Sequence, residues 1–370
     1  MNRYGAALSE HPDSAGAAGE VIGEILEAVG PSPDLVVLFT SASHREAIPE
    51  IAGTIHRVLA PEALIGATAV SVISGPLEVE ESPALSLWAV ARCPARPVRL
   101  EATKGSDGWV LEGLPVDAEG TLLVLPDPFT FPSEALLEAG PAMTVVGGLA
   151  SAGGPGSNRL VLGHEVFSDG AVGVLLDPRV GVRSVVSQGC RPIGRPYTVT
   201  GAEGRVISEM GGRSAVDRLR ETLLELDEAE RALVARGLHI GVVMDEHKLE
   251  FDRGDFLIRT LVGADQESGV LAVGDSVEVG TTVQFQVRDA ATADEDLREL
   301  MSGISAGSAL VFTCNGRGTH LFEGPNHDAS VIHEALNRAP VAGMFCAGEL
   351  GPVGGHNFLH GFTASVVLFP

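Results

Sequence analysis

The densest group of polar residues lies near the C-terminus, directly after an apolar run that is typical of a strand. It reads Thr313-Cys314-Asn315-Gly316-Arg317-Gly318. The Asn-Gly and Gly-x-Gly spacing allows backbone N–H groups to point into a cleft, which suits an anionic group. Arg317 adds a guanidinium that can bind a carboxylate through two hydrogen bonds. The segment therefore predicts an anion site, although an Asn-Gly pair after a strand is also typical of a simple turn.

Three further polar side chains follow this segment, namely Glu349, Asn357 and His360. If the strand ends converge, these side chains and Arg317 line one pocket. Arg317 would bind a carboxylate, Glu349 an ammonium group, and Asn357 would orient the ligand. The predicted ligand is then amino-acid-like or another small anionic metabolite. The alternative is that the glutamate and histidine are solvated residues of a glycine-rich loop.

A second candidate site is the segment Gln188-Gly189-Cys190-Arg191-Pro192. Cys190 and Arg191 lie in a turn before a proline, and an exposed arginine on a rigid turn can bind anions. The alternative, which we favour, is a turn that links two domains.

The chain has four cysteines, at positions 93, 190, 314 and 346, and none forms a C-x-x-C pair. Zinc binding and a redox dithiol are therefore unsupported, and we expect buried free thiols. No histidine falls in convincing ligand spacing, and His327-Asp328 is interpreted as a solvated loop pair. We predict no metal and no cofactor. A cysteine-dependent enzyme that uses Cys314 or Cys346 with a histidine partner stays open as an alternative, because such a role requires a lowered thiol pKa.

A glycine-rich segment, Gly147-Gly148-Leu149-Ala150-Ser151-Ala152-Gly153-Gly154, resembles a phosphate-binding loop in composition only. It lacks the spacing and the lysine of a nucleotide-binding loop. It also lacks the G-x-S-x-G sequence of a hydrolase nucleophile turn.

Charge and hydropathy exclude several classes of function. The 370 residues carry a formal net charge of −24, and lysine occurs only at positions 104 and 248. Such a chain repels phosphate backbones, so we expect no nucleic-acid partner. No apolar run approaches the roughly 20 residues of a membrane helix, and the N-terminus has no apolar signal region. We therefore expect a cytoplasmic protein that begins with an amphipathic helix over residues 13–29, capped by Ser14.

Internal similarity predicts how these sites are positioned. Three segments share one plan: an apolar strand, a helix, a short strand with a glycine, and a returning hairpin. Their opening strands are at 35–39, 122–125 and 309–312, and the shared glycines are Gly66, Gly147 and Gly343. The glycine is expected to end its short strand, where only a residue without Cβ fits.

The region between the second and third repeats has a different pattern. It predicts one helix over residues 214–236, with Ser214 as its N-cap and Gly237 as its stop. Strands are predicted at 240–244, 256–261, 269–273 and 281–287, and a helix at 294–302. Residues 92–119 are interpreted as an irregular connector. The predicted class is α+β, with mostly antiparallel sheets layered with helices, and two related domains at 1–195 and 196–370.

The order of several segments resembles the FIST family, which has an N-terminal and a C-terminal FIST domain. The segments that carry this resemblance lie at 146–153, 187–194, 314–318, 343–349 and 357–363, and they span most of the chain. The resemblance implies a sensory, ligand-binding role in intracellular signal transduction, with amino acids among the proposed ligands. It supplies no catalytic residues.

Three hypotheses of function follow. The first is a binding module for a small amino-acid-like or carboxylate ligand, which passes its signal to an unknown partner protein. The second is the cysteine-dependent enzyme. The third is a non-catalytic interaction scaffold, and a homodimer is possible in this case.

Overall fold

The computed structural model describes residues 2–106, 108–115, 118–139 and 143–370. The chain forms two compact units. The first comprises Met1–Val186 with Leu297–Pro370, and the second comprises Ser187–Asp296. The sequence-based division into domains 1–195 and 196–370 describes sequence domains and not these compact units, and it stays a prediction.

The described residues contain seven α-helices. They are α1 (Ser14–Ala28), α2 (Ile48–Leu59), α3 (Ser133–Glu138), α4 (Ala215–Glu225), α5 (Glu228–Arg236), α6 (Ala290–Met301) and α7 (His327–Ala335). Short 3₁₀ segments occur at Ala42–Ala47, Pro178–Val180, Arg253–Asp255 and Gly318–His320. None of the helices in the described ranges is long and apolar enough to cross a membrane.

The strands are given in chain order in three groups. The first group is β1 (Arg3–Ser9), β2 (Leu35–Ser41), β3 (Ala63–Ala69), β4 (Ser71–Ser74), β5 (Leu77–Glu80), β6 (Leu85–Ala91), β7 (Ala95–Gly105), β8 (Gly108–Glu112), β9 (Thr121–Pro126), β10 (Thr144–Gly148), β11 (Leu160–Leu162), β12 (Glu165–Phe167), β13 (Ala171–Leu176) and β14 (Arg183–Gln188). The second group is β15 (Cys190–Pro192), β16 (Tyr197–Glu203), β17 (Val206–Met210), β18 (Arg213–Ser214), β19 (Leu238–Val243), β20 (Phe256–Asp265), β21 (Val270–Val273) and β22 (Thr282–Arg288). The third group is β23 (Ser308–Cys314), β24 (Val341–Cys346), β25 (Glu349–Val353), β26 (His356–His360) and β27 (Thr363–Phe369).

The first compact unit contains the three predicted repeats, and the α+β class is confirmed. Each opening strand, β2, β9 or β23, pairs in parallel with the next strand of its repeat, β3, β10 or β24. On its other side it pairs antiparallel with the closing strand, β6, β13 or β27. The continuously apolar opening strands are thus central strands of their sheets, as their sequences predict.

The hairpin of each repeat leaves its own sheet and joins another one. The β4–β5 hairpin of the first repeat pairs with β24 of the third. The β11–β12 hairpin of the second repeat pairs with β3 of the first. The β25–β26 hairpin of the third repeat pairs with β10 of the second. Each repeat therefore completes the sheet of a different repeat, in a closed cycle.

The shared glycines allow the two parallel strands of each repeat to approach closely. A Cβ atom at Gly66, Gly147 or Gly343 would lie 2.6, 2.0 or 2.0 Å from the carbonyl oxygen of Leu38, Val124 or Val311, respectively. Gly66 and Gly343 lie inside their strands, so the expectation that they end them is wrong. The absence of a side chain is needed for packing against the neighbouring backbone.

The three sheets share one apolar core. Phe39 of the first repeat, Leu123 of the second and Phe312 of the third all belong to the same buried cluster. Trp88 belongs to the same cluster, and its indole Nε1 donates a hydrogen bond to the buried Ser308 hydroxyl at 2.7 Å. Because the core draws on every repeat, burial of its apolar surface stabilises all three sheets together.

The ends of β3, β10 and β24 meet near Ser151. Its N–H donates to the Thr68 carbonyl at 3.1 Å, and its hydroxyl donates to the Phe345 carbonyl at 2.6 Å. The N–H of Leu149 donates to the Gly348 carbonyl at 2.9 Å. These bonds fix the backbone directly before Glu349, where the third repeat crosses to the sheet of the second.

The second compact unit is an antiparallel sheet that closes on itself. Its strands follow the order β22, β16, β17, β21, β20 and β19, and β19 pairs again with β22. The four strands predicted in this region are present, with shifted ends. The single helix predicted over residues 214–236 is wrong, because Leu226 is extended and Asp227 caps a second helix through the Glu230 N–H. The predicted Ser214 cap is confirmed.

Two other predictions need correction in the first unit. The connector predicted at residues 92–119 contains β7 and β8, and β7 pairs with β13. Val98 and Leu100 of β7 are both buried, two residues apart, as expected for one face of a strand. Pro97 and the flanking arginines obscure that pattern in the sequence. Asp107, Val116 and Asp117 of this stretch lie outside the described residues. The N-cap of α1 is Asp13 and not Ser14, because the Asp13 carboxylate accepts from the Gly16 N–H at 2.8 Å.

Candidate functional site

The candidate site forms where β23 of the third repeat ends. The N–H of Asn315 donates to the carbonyl of Cys346 at 2.9 Å, and the N–H of Arg317 donates to the carbonyl of Cys314 at 2.8 Å. The chain thus turns over the end of the neighbouring β24, and Cys314 and Cys346 are register partners. The segment predicted to bind an anion is a turn held by backbone hydrogen bonds, and it directs Arg317 inward.

Arg317 is fully buried and forms an ion pair with Asp328 in the first turn of α7. Its Nε donates to Asp328 Oδ2 at 2.6 Å, and its Nη2 donates to Oδ1 at 2.8 Å. The Thr313 hydroxyl also donates to Oδ2, at 2.7 Å. Burial alone would favour the neutral acid, but the adjacent guanidinium holds the pKa of Asp328 well below its usual range. The interpretation of His327-Asp328 as a solvated loop pair is therefore wrong.

Glu349 is the first residue of β25 and is fully buried. Its Oε2 accepts from the N–H and the hydroxyl of Thr363, at 3.3 and 2.8 Å. Burial raises the pKa of the carboxyl to about 8, against the opposing effects of the Thr363 hydrogen bonds, of the Arg317 charge and of a hydrogen bond with the Cys314 thiol. At neutral pH this carboxyl is mostly protonated.

Cys314 is partly exposed and Cys346 is fully buried. Burial, together with the charge of Glu349, raises the pKa of the Cys314 thiol to about 12. The same two causes raise the pKa of Cys346 well above its ordinary value. Both side chains are therefore thiols at neutral pH, which gives no support to a thiolate nucleophile.

Three polar atoms of this cluster have no hydrogen-bond partner within the described residues. They are Nη1 of Arg317, Oε1 of Glu349 and Oδ1 of Asn315. Arg317 lowers the pKa of both Glu349 and Cys314, so these three groups are close enough to interact electrostatically. Buried polar groups usually have partners, and unpaired ones that lie close together are typical of a binding site.

The remaining predicted side chains have other positions. His360 is the register partner of Glu349 in the β25–β26 hairpin, and its Nε2 lies 3.0 Å from the Gly351 carbonyl. Asn357 bonds instead to the backbone of β10 and the residue before it. Its Oδ1 accepts from the Val145 N–H and its Nδ2 donates to the Met143 carbonyl, both at 2.9 Å. Asn357 thus fixes the hairpin to the sheet through both ends of its amide.

Cys190 and Arg191 belong to the second compact unit, and Arg317 and Glu349 belong to the first. Cys190 is fully buried in β15. Arg191 is paired with two carboxylates, those of Asp289 at 2.9 Å and Glu230 at 3.2 Å. This arginine has an evident structural role in its own unit.

The sequence did not reveal the contribution of the first repeat to this cluster. Glu78 of β5 accepts from the Ala329 N–H in α7 at 2.9 Å. Burial, together with the charge of Asp328, raises the pKa of Glu78 to about 7. Glu80 accepts from the hydroxyl and the N–H of Thr319. Only the exchange of hairpins between repeats brings these residues together, so no local sequence pattern indicates them.

No group of three or more His, Cys, Asp or Glu side chains in the described parts of the chain is arranged to hold a metal ion.

Comparison with known proteins identifies the family. The model of the FIST N domain matches residues 34–213, and the model of the FIST C domain matches residues 215–352. The chain belongs to the FIST family. FIST domains are generally sensory domains of signal-transduction proteins.

Two mycobacterial relatives match over nearly their whole length. An uncharacterized protein of Mycobacterium tuberculosis strain H37Rv, Rv0628c, is 46% identical over 381 residues, covering 99% of each chain. An uncharacterized protein of Mycobacterium bovis, Mb0898c, is 44% identical over 382 residues, covering 99% of this chain and 98% of its own. The names of these relatives state no ligand.

Proposed function

We propose that this FIST protein is a sensory protein that binds a small amino-acid-like ligand at the cluster around Arg317. The observation that carries the proposal is the unpaired Nη1 of Arg317. Asp328 occupies Nε and Nη2 and holds the guanidinium plane fixed, while Nη1 has no partner in the described structure. A ligand carboxylate would supply that partner through a charge-assisted hydrogen bond.

Glu349 would bind the ammonium group of the same ligand. Its Oε2 is held by Thr363, and its Oε1 is unpaired among the described residues. A cation beside the carboxyl stabilises its charged form and lowers its pKa from about 8. Binding at pH 7 would therefore release a proton from Glu349.

Asn315 and the backbone around it would form the entrance to the site. Cys314, Asn315 and Gly316 are partly exposed, and Ala347 is exposed, whereas Arg317 and Glu349 are buried behind them. The amide oxygen of Asn315 is unpaired in the described part of the chain and can accept a hydrogen bond from an ammonium group. Such a ligand would connect the end of β23 to the start of β25. Because β25 pairs with β10, the ligand would couple the opening strand of the third repeat to the sheet of the second repeat.

The test is a thermal-shift and calorimetric screen of the purified protein with the twenty amino acids and with small carboxylates that lack an amine. We expect one or a few amino acids to raise Tm, because a ligand that binds only the folded state stabilises it by mass action. Calorimetry in buffers with different ionisation enthalpies should detect proton release at pH 7. A screen without any shift, or binding without proton release, would contradict the proposal.

Two asparagines provide a matched pair of variants. Asn315→Ala should leave Tm nearly unchanged and should weaken ligand binding, because its amide oxygen is unpaired in the free protein. Asn357→Ala should lower Tm, because it breaks two hydrogen bonds to the backbone, and should leave the ligand-induced shift intact. The opposite pattern would place the ligand at the β25–β26 hairpin instead.

A further inference from the structure

The start of α1 places a serine hydroxyl against a buried histidine. The Oγ of Ser14 lies 2.8 Å from Nδ1 of His44, which belongs to the 3₁₀ segment Ala42–Ala47 directly before α2. His44 is only 1% exposed, and its Nε2 has no hydrogen-bond partner among the described residues. A buried imidazole with one unpaired nitrogen opposes folding, and such groups are frequent at functional sites.

The Ser14 hydroxyl is not needed to cap the helix. The N-cap is Asp13, whose carboxylate accepts from the Gly16 N–H at 2.8 Å. Ser14 is the first residue of α1, and its hydroxyl is bonded to His44 instead. A serine hydroxyl within hydrogen-bond reach of an imidazole is the arrangement of a nucleophile and its general base.

A small cavity lies beside Ser14, between α1 and α2. Its volume is about 130 Å³, Ser14 forms part of its wall, and the apolar part of the wall is formed by Ala15, Ala18, Ala47 and Ile51. Cavities that enclose a whole small molecule measure about 300–1,000 Å³. This one therefore fits only a small apolar part of a substrate, such as a short acyl chain next to the Ser14 hydroxyl.

The charge state of His44 suits a base. Burial lowers the pKa of His44 below its ordinary value, against the opposing effect of the Asp13 charge. The ring is therefore mostly neutral at pH 7 and can accept a proton. Once it has done so, the negative charge of Asp13 stabilises the imidazolium.

We propose that Ser14 and His44 form a nucleophile–base pair that hydrolyses esters of short, uncharged acyl groups. Ser14 Oγ forms a bond to the acyl carbon of the ester while its proton passes to Nδ1 of His44. The bond between the acyl carbon and the alcohol oxygen then breaks, and the leaving alcohol takes that proton. Water attacks the acyl-serine in the same way, which releases the carboxylic acid and restores the Ser14 hydroxyl.

The position of Ser14 at the start of α1 also favours this reaction. The oxyanion of each step would lie at the positive end of the helix dipole, which stabilises negative charge. The exposed Glu50 also lines the cavity, so an acyl chain that carries a carboxylate would be repelled. The site shares no residue with the Arg317 cluster, so it is independent of the proposed sensory function.

The experiment is the hydrolysis of 4-nitrophenyl acetate, butyrate and decanoate by the purified full chain, together with labelling by a fluorophosphonate. We expect kcat/KM for acetate or butyrate to exceed that for decanoate at least tenfold, because the long chain does not fit the cavity. Peptide mass spectrometry should find the fluorophosphonate adduct on Ser14. The absence of hydrolysis of both short esters, or the absence of an adduct on Ser14, would overturn the proposal.

Two serines provide a matched pair of variants. Ser14→Ala keeps the Asp13 cap, so the protein should stay folded, lose the adduct and hydrolyse the short esters at least tenfold more slowly. Ser43→Ala is the control, because Ser43 is exposed and precedes His44 in the chain, and it should keep both activities. Unchanged hydrolysis by Ser14→Ala would overturn the proposal.

A third variant separates catalysis from a purely structural bond between α1 and His44. His44→Gln keeps a polar side chain beside Ser14 but cannot accept its proton, so labelling of Ser14 should slow at least tenfold. Labelling at the wild-type rate would overturn the role of His44 as the base. The adduct on Ser14 and the Ser14→Ala variant decide the question even if His44→Gln does not fold.

Discussion

The guanidinium of Arg317 and the carboxylate of Asp328 form an ion pair with two hydrogen bonds, in which each side chain is only 1% exposed. Removal of either partner leaves the other charge buried without compensation. We expect Arg317→Ala or Asp328→Ala to reduce the free energy of unfolding by about 3–5 kcal/mol, measured by urea denaturation.

The control for this ion pair is the pair of Arg179 and Asp177, in which the arginine side chain is 87% exposed. Arg179→Ala should leave the urea midpoint unchanged. Equal midpoints for Arg317→Ala and Arg179→Ala would show that the buried pair does not stabilise the fold.

The stability of the protein should depend on the protonation of Glu349. Its pKa is raised to about 8 in the folded state, whereas the unfolded value is near 4.5. The folded state thus binds more protons between these values, so the free energy of unfolding should fall as pH rises from about 4.5 to about 8. One such proton gives a slope of about 1.4 kcal/mol per pH unit.

The measurement is urea denaturation of wild type and Glu349→Gln from pH 5 to pH 8.5. The difference between the two curves isolates Glu349 from the other titrating groups, including Glu78. We expect the variant to gain stability relative to wild type as pH rises. A constant difference across the range would exclude a raised pKa at this carboxyl.

The raised pKa values of Cys314 and Cys346 predict slow alkylation of both thiols in the folded protein. At pH 7, iodoacetamide should label each thiol at least tenfold faster in urea-unfolded chain than in native protein, because the unfolded thiols titrate near their ordinary value. Peptide mass spectrometry distinguishes the two positions. Rapid labelling of native Cys314 at pH 7 would instead support the hypothesis of a cysteine-dependent enzyme.

The close approach of β23 and β24 predicts that Gly343 tolerates no side chain. An added Cβ would lie 2.0 Å from the Val311 carbonyl oxygen, so the strands would have to separate. We expect Gly343→Ala to lower the free energy of unfolding by about 1–3 kcal/mol. Gly154→Ala is the control, because no atom lies within 4 Å of its added Cβ, and it should unfold like wild type.

Sequence patterns predicted what is local in this fold. The apolar opening strands, the shared glycines and the Ser214 cap are each determined by a few neighbouring residues, and the repeat follows from their order. Strand β7 was harder to predict. In β7, Pro97 and charged residues interrupt the alternation, and pairing with β13 supplies the stabilisation that the local sequence lacks.

The candidate site was predicted only in part, because only some of its residues have a local sequence signal. Arg317 and Glu349 stand out as charged residues beside glycines, and the structure brings them together. Asp328 could not be distinguished from a solvated loop residue, because its burial depends on packing around α7. Glu78 lies far from Arg317 in the sequence, and only the exchanged hairpin positions it.

The cyclic exchange of hairpins also determines when this chain can become folded during its synthesis. The sheet of the first repeat needs β11 and β12 from the second, and the sheet of the second needs β25 and β26, which come much later in the chain than β10. Until β25 leaves the ribosome, the edge of β10 that pairs with it has no neighbour. The ring of three repeats therefore closes late, and a chain that stops before β25 leaves an open sheet edge free to pair with other chains.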